Sequence, residues 1–216
     1  MQVAGVPGDA LLGAVAGAMA YTLTPGPGFL AMLGIGAGQG RGACARFLAG
    51  HFAGDIVWAT LALVAILGAG EIGALVFDLL GVICGLYLGQ LGLRALRTRP
   101  RATDAPLPIL TQPLRRGLVF GLTNPKAYPV ALATFTALLA NVTGLGWHSL
   151  PLLLLAAACG FVLADVVLVT FSGAGGTRRF YRAHELAIIR GSGLIFLAFA
   201  CAALQTGLHG LWTLGR

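Results

Sequence analysis

Three ionisable side chains, Asp55, Lys126 and Asp165, fall inside long apolar stretches of the chain. An ionised group at the centre of a bilayer costs about 2.5–3.5 kcal/mol on insertion scales and marks a functional position by default. A carboxylate there can exchange a proton or hold an ammonium group. His51 precedes Asp55 by four residues and shares its helical face, which makes it a candidate proton relay. Asp165 is a candidate for the same work as Asp55. Lys126 is the only lysine in the chain. It can pair with Asp55, pair with Asp165, or extend along its helix to the surface, and the sequence leaves the three open.

The backbone carries a second kind of chemistry. The stretch "TLTPGPGFLAML", residues 22–33, interrupts an apolar segment with prolines and glycines. Pro25 and Pro27 lack N–H groups, so the carbonyls of Tyr21 and Leu23 lose their helical donors. A bare carbonyl in hydrocarbon costs several kcal/mol, so the break requires protein, water or a ligand opposite it. One half-helix then presents carbonyls and the next presents free N–H groups. Together they suit an ammonium and a carboxylate, the charge pattern of an amino acid. A similar interruption, "TNPK", holds Thr123, Asn124, Pro125 and Lys126. Thr24, Thr123 and Asn124 are polar enough either to touch a ligand or to repair the backbone.

The elements that must position these residues are membrane helices. Hydrophobic residues make up 57% of the chain and charged residues 10%, with mean hydropathy +0.88. Six apolar stretches, at about 8–33, 44–69, 72–93, 116–140, 149–172 and 187–212, each reach the roughly 20 residues a helix needs to cross a bilayer. The first has no basic segment before it and reads as a span, not a leader. The loops leave no room for a soluble domain. The expected fold is an all-α polytopic membrane protein with a single transmembrane domain.

The net charge of +7 is topological rather than a sign of nucleic-acid binding. Loops after spans one, three and five carry Arg41 and Arg46; Arg94, Arg97, Arg99, Arg101, Arg115 and Arg116; and Arg178, Arg179, Arg182 and Arg190. The other side has only Arg216. The positive-inside rule therefore predicts cytoplasmic basic loops and both termini outside.

The halves echo each other. "TPGP" at 24–27 and "GHFAGD" at 50–55 correspond to "TNPK" at 123–126 and "GFVLAD" at 160–165. Each half places a Thr-and-Pro break in its first span and a Gly-led aspartate in its second. Three spans per half make the second half enter from the opposite side. The expectation is two inverted three-helix repeats, about 8–93 and 116–212, joined by a basic loop at about 94–115. Spans one and four are broken at proline, and matching breaks point to a transporter's midplane site. Gly50 and Gly54 form a G-x-x-x-G pair suited to close helix approach.

No catalytic nucleophile set, P-loop or H-E-x-x-H motif is present, so no enzyme and no cofactor is expected. Cys44, Cys84, Cys159 and Cys201 form no C-x-x-C pair and read as buried structural thiols, with no metal site. Asp78 lies near the outer end of span three, where exposure is cheap. Scattered Cys and His disfavour a heavy-metal cation exporter. Cysteine-free broken spans disfavour a transmembrane thiol-redox conduit.

Over nearly its full length the chain resembles the LysE/RhtB superfamily of bacterial amino-acid exporters. The resemblance is carried by "TPGPGFLAML", "GRGACARFLAGHFAGD", "GVICGLYLGQLGLRAL" and "RRGLVFGLTNPKA". It implies a six-span inner-membrane secondary transporter that uses the proton gradient to export an amino acid or a closely related small metabolite. It also implies a pathway at Pro25, Gly26, Pro27, Gly54, Asp55, Asn124, Pro125 and Lys126. Two positions depart from the family pattern. Gly28 replaces a frequent Asn, and Pro129 follows the second break closely. The substrate and any homo-oligomer stay open.

Overall fold

The computed structural model describes residues 2–24, 27–68, 74–99, 111–124, 127–172 and 175–214. Eight α-helices carry the fold: α1 Gly8–Leu23, α2 Pro27–Gln39, α3 Arg41–Leu67, α4 Ala74–Leu96, α5 Pro113–Thr123, α6 Ala127–Leu139, α7 Leu150–Ser172 and α8 Gly175–Leu214. A 3-10 turn, Trp147–Ser149, leads into α7. The chain is thus an all-α membrane protein. Arg41–Leu67, Trp147–Ser172 and Leu186–Thr213 are long and apolar enough to cross a bilayer, and shorter apolar helices run over Gly8–Leu23, Gly81–Leu96 and Ala127–Leu139.

The helix ends follow the prolines. Pro27 opens α2, where a missing N–H costs nothing. Pro129 is the third residue of α6, still within the first turn, whose N–H groups have no intrahelical partner. Its place after the second break is therefore compatible with a helix. Between α2 and α3 the chain turns on Gly40, whose φ of 82° lets the next helix start at once.

Two features differ from the expectation. A two-residue hairpin, β1 Gln2–Val3 with antiparallel β2 Val6–Pro7, precedes α1. Its turn places Ala4 at φ 47° and Gly5 at φ 81°, the doubly left-handed form that matches strand twist. The sixth apolar stretch belongs to a 40-residue helix, α8. At about 1.5 Å per residue it is roughly 60 Å long, twice the hydrocarbon thickness. The arginines at 178–190, expected in a loop, lie on its first turns. Regular helix satisfies the backbone on either side of the interface, so it need not end where the membrane does.

Close packing runs through glycine. The broadest contacts join α4 to α8, α3 to α5 and α1 to α7. At the α3–α5 crossing a Cβ on Gly50 would overlap the Leu114 carbonyl, one on Gly54 the Gly121 backbone, and one on Gly117 the Phe47 carbonyl. The G-x-x-x-G pair of α3 thus meets a second pair, Gly117 and Gly121, on α5, and the backbones touch. Asp78, expected to be exposed, is half-buried against α8. A Cβ on Gly210 would overlap its carboxylate, and its Oδ2 is buried. Cys44 and Cys84 are buried as expected, whereas Cys159 and Cys201 are exposed.

Two apolar clusters fill the interior. The larger includes Ala14, Leu63, Phe135 and Phe161, and the smaller includes Met32, Cys44, Phe47 and Leu168. Helix α3 passes from the smaller to the larger, and α7 passes back from Leu153 and Phe161 to Leu168.

Valine at Gly117 is expected to lower stability by about 3 kcal/mol, because the Phe47 backbone cannot yield. Alanine at Gly191, which meets nothing within 4 Å, is expected to raise it by about 0.5–1 kcal/mol. Thermal melts in detergent compare the two. Equal effects would contradict the packing described.

Candidate functional site

The polar residues collect where the two clusters meet. On α3, Cys44, Phe47 and Leu48 belong to the smaller cluster and Ala59, Ala62 and Leu63 to the larger. His51 and Asp55 occupy the interval, 4% and 1% exposed. Their spacing of one helical turn brings His51 Nδ1 within 2.8 Å of Asp55 Oδ2. The His51 ring lies beside Phe47 and Phe120, with centroids 6.3 and 5.9 Å away. An apolar wall thus surrounds the pair and shields it from water.

On α7, Asp165 falls in the corresponding interval, between Phe161 and Leu168. Helix α7 packs against α3, which puts the two aspartates on neighbouring helices. Tyr21, on the last turn of α1, is buried, its ring edge-on to Phe161 of α7 with centroids 5.7 Å apart. Asp55 Oδ1, His51 Nε2, Asp165 Oδ1, Tyr21 Oη and the Thr22 hydroxyl are all buried with no hydrogen-bond partner among the described residues. So many unmatched polar atoms are costly in an apolar interior. Water or a polar solute would satisfy them.

Each break separates two helices. Helix α1 ends at Leu23 and α2 begins at Pro27; α5 ends at Thr123 and α6 begins at Ala127. Thr24 is buried, and its hydroxyl turns back to the Ala20 carbonyl at 2.5 Å. Thr123 does the same to Val119 at 2.7 Å. Asn124 is buried and its carbonyl accepts from the Ala127 N–H at 3.0 Å. The Ala20 carbonyl already accepts the Thr24 N–H at 2.9 Å, so these hydroxyls add second bonds to carbonyls other than those the prolines free. Pro25, Gly26, Pro125 and Lys126 lie outside the described residues, and so does the question of which aspartate Lys126 meets. Gly54 packs against Gly121, which fixes how closely α5 approaches Asp55. Among the described residues no three His, Cys, Asp or Glu side chains converge as for a metal ion.

Sequence reasoning missed Tyr21, Thr22 and Trp58. The Trp58 indole N–H donates to the Gly121 carbonyl at 2.9 Å. Tyr21 stands four residues before Pro25 and Trp58 three after Asp55, spacings that could have flagged both.

The sequence that carries these residues has counterparts among known proteins. The profile of the LysE type translocator family matches residues 19–207. The chain belongs to that family. The matched region takes in both breaks and both aspartates. The "Leucine efflux protein" of Enterobacter sp. (strain 638) is 32% identical over 204 residues, covering 90% of this chain and 94% of that protein. The "Leucine efflux protein" of Klebsiella pneumoniae subsp. pneumoniae is 32% identical over 203 residues, 88% of this chain and 93% of that one. No solved structure gives a significant match.

Removing one member of the His51–Asp55 pair strands the other. The His51→Phe variant keeps an aromatic ring beside Phe47 and Phe120 but is expected to lose about 3 kcal/mol of stability. Adding Asp55→Leu should recover most of that loss. Melting temperatures of the single and double variants test it, and a double variant less stable than His51→Phe would contradict a paired interaction.

Proposed function

We propose that the protein is a secondary transporter of the bacterial inner membrane that exports leucine or a closely similar amino acid in exchange for protons. The observation that carries this reading is the buried His51–Asp55 pair on α3, with Asp165 on the neighbouring α7. A proton on this carboxylate pair and a substrate ammonium compete for the same negative charge. Loading one releases the other, which is the requirement for exchange. The half-helix ends at 24–27 and 123–127 supply carbonyls and amides for the two ends of an amino acid. The substrate class rests on the relatives named for leucine efflux and on the apolar walls of the site.

In this reading α1–α2, α3 and α4 form one repeat and α5–α6, α7 and α8 its inverted copy. Three features support it. The pairing of α3 with α5 is matched by that of α7 with α1. Helix α4 packs on its own counterpart α8, and α3 on α7. The two central helices also pass between the apolar clusters in opposite directions. Rocking one repeat against the other about the glycine contacts would expose the site to each side in turn. Both termini face outside and the basic loops face the cytoplasm.

Inverted membrane vesicles with an acidic lumen should take up labelled leucine or a near analogue when they contain the protein. Collapsing the gradient should abolish uptake, and Asp55→Asn should reduce it at least about tenfold. Gradient-driven uptake at wild-type rate by Asp55→Asn would remove Asp55 from the mechanism. For topology, a single cysteine at Ala102 in a cysteine-free background should resist an impermeant maleimide in whole cells, while one at Gln2 should react. The reverse pattern would invert the assigned orientation.

A further inference from the structure

The second break is held from outside its own segment. Pro125 has no N–H, so the carbonyl four residues earlier, that of Gly121, has no intrahelical donor. Trp58 supplies one. Its indole Nε1 lies 2.9 Å from that oxygen, and an indole N–H can only donate. The same ring lies against Tyr128, the second residue of α6, with centroids 6.3 Å apart. One side chain on α3 therefore engages the last turn before the break and the first turn after it.

We propose that Trp58 is a positioning residue for the transport site, clasping the second break to α3 and so setting its distance from Asp55. The approach that makes this possible comes from the glycines. With Gly54 against Gly121, α5 comes near enough for an indole one turn beyond Asp55 to reach a backbone carbonyl. The halves are not equivalent in this respect. Aligning Asp55 with Asp165 puts Leu168 opposite Trp58, and leucine has no hydrogen to donate. Leu168 is buried in the smaller apolar cluster instead.

The inference rests on the transport reading for its functional half, and the test keeps the two apart. In protein labelled with 15N-tryptophan, the Trp58 indole N–H is identified by its loss in Trp58→Phe. It should exchange with deuterium at least about 100-fold more slowly than that of Trp147, which is 40% exposed near a helix start. Trp58→Phe and Trp58→Tyr keep an aromatic ring near Tyr128 and remove the indole N–H. Each should raise the KM for leucine uptake about tenfold while changing the maximal rate less than threefold. A loss of stability alone would lower the amount of active transporter and leave KM unmoved. Fast exchange at Trp58, or an unchanged KM in both variants, overturns the proposal. If the wild-type protein moves no leucine, the transport reading fails, and the exchange rate alone then decides whether the clasp exists.

Discussion

A membrane interior has no water to complete a hydrogen bond, and the architecture of this protein follows from that constraint. Every backbone group freed by Pro25, Pro27 or Pro125 has to find a partner in the protein or in a solute. The chain answers locally where it can. Helices restart on residues that need no acceptor, Pro27 and the first turn holding Pro129. Where local repair falls short, a neighbouring helix supplies the group, as Trp58 does for Gly121. Among the described residues, Tyr21, Thr22, His51, Asp55 and Asp165 each keep a buried side-chain atom without a partner, as does Asp78 on α4.

The burial of Asp55 depends on small residues. A polar band between two apolar clusters is tolerable only if the helices carrying it pack without gaps on both sides. The α3–α5 contact achieves this by backbone touching backbone at Gly50, Gly54, Gly117 and Gly121. Side chains of any size there would push α5 away from Asp55 and open the band to lipid. Glycine in mid-helix lowers helix propensity, but in hydrocarbon the alternative to helix is unsatisfied backbone, so that weakness matters little.

Much of this was legible in the residues themselves. Where the chain is described, the apolar stretches are helical, the first and fourth each as two helices, because a long apolar run has few other fates in a bilayer. The breaks were visible because proline acts through its own covalent structure, and Asp55 with His51 because a helical turn fixes their spacing. What stayed hidden depends on partners. Gly117 and Gly121 look like any of the 33 glycines until α3 is laid across them. Trp58 reads as an apolar residue of span two until its N–H is seen to face a carbonyl on another helix. The basic first turns of α8 were taken for loop because arginine-rich sequence carries no apolar period, yet nothing in it forbids a helix. The hairpin at Gln2–Pro7 was too short for any period to show.

The two clusters that seal the polar band are unequal, and under the proposed exchange mechanism that inequality has a direction. The larger includes buried residues of α1, α3, α4, α6, α7 and α8, so separating it exposes a broad apolar area at roughly 25 cal/mol per Å2. The smaller draws on α2, α3 and α7, with Arg41 at the start of α3 donating to the Thr170 carbonyl near the end of α7 at 2.9 Å. In the proposed orientation the smaller cluster is the inner seal. It is the easier one to open, and it includes Met32 and Ile35 on α2, which follows the first break. An exporter has to admit its substrate from that side. Keeping the second break with Asp55 through Trp58 and leaving α2 at the weaker seal would couple entry of the substrate to movement of α2.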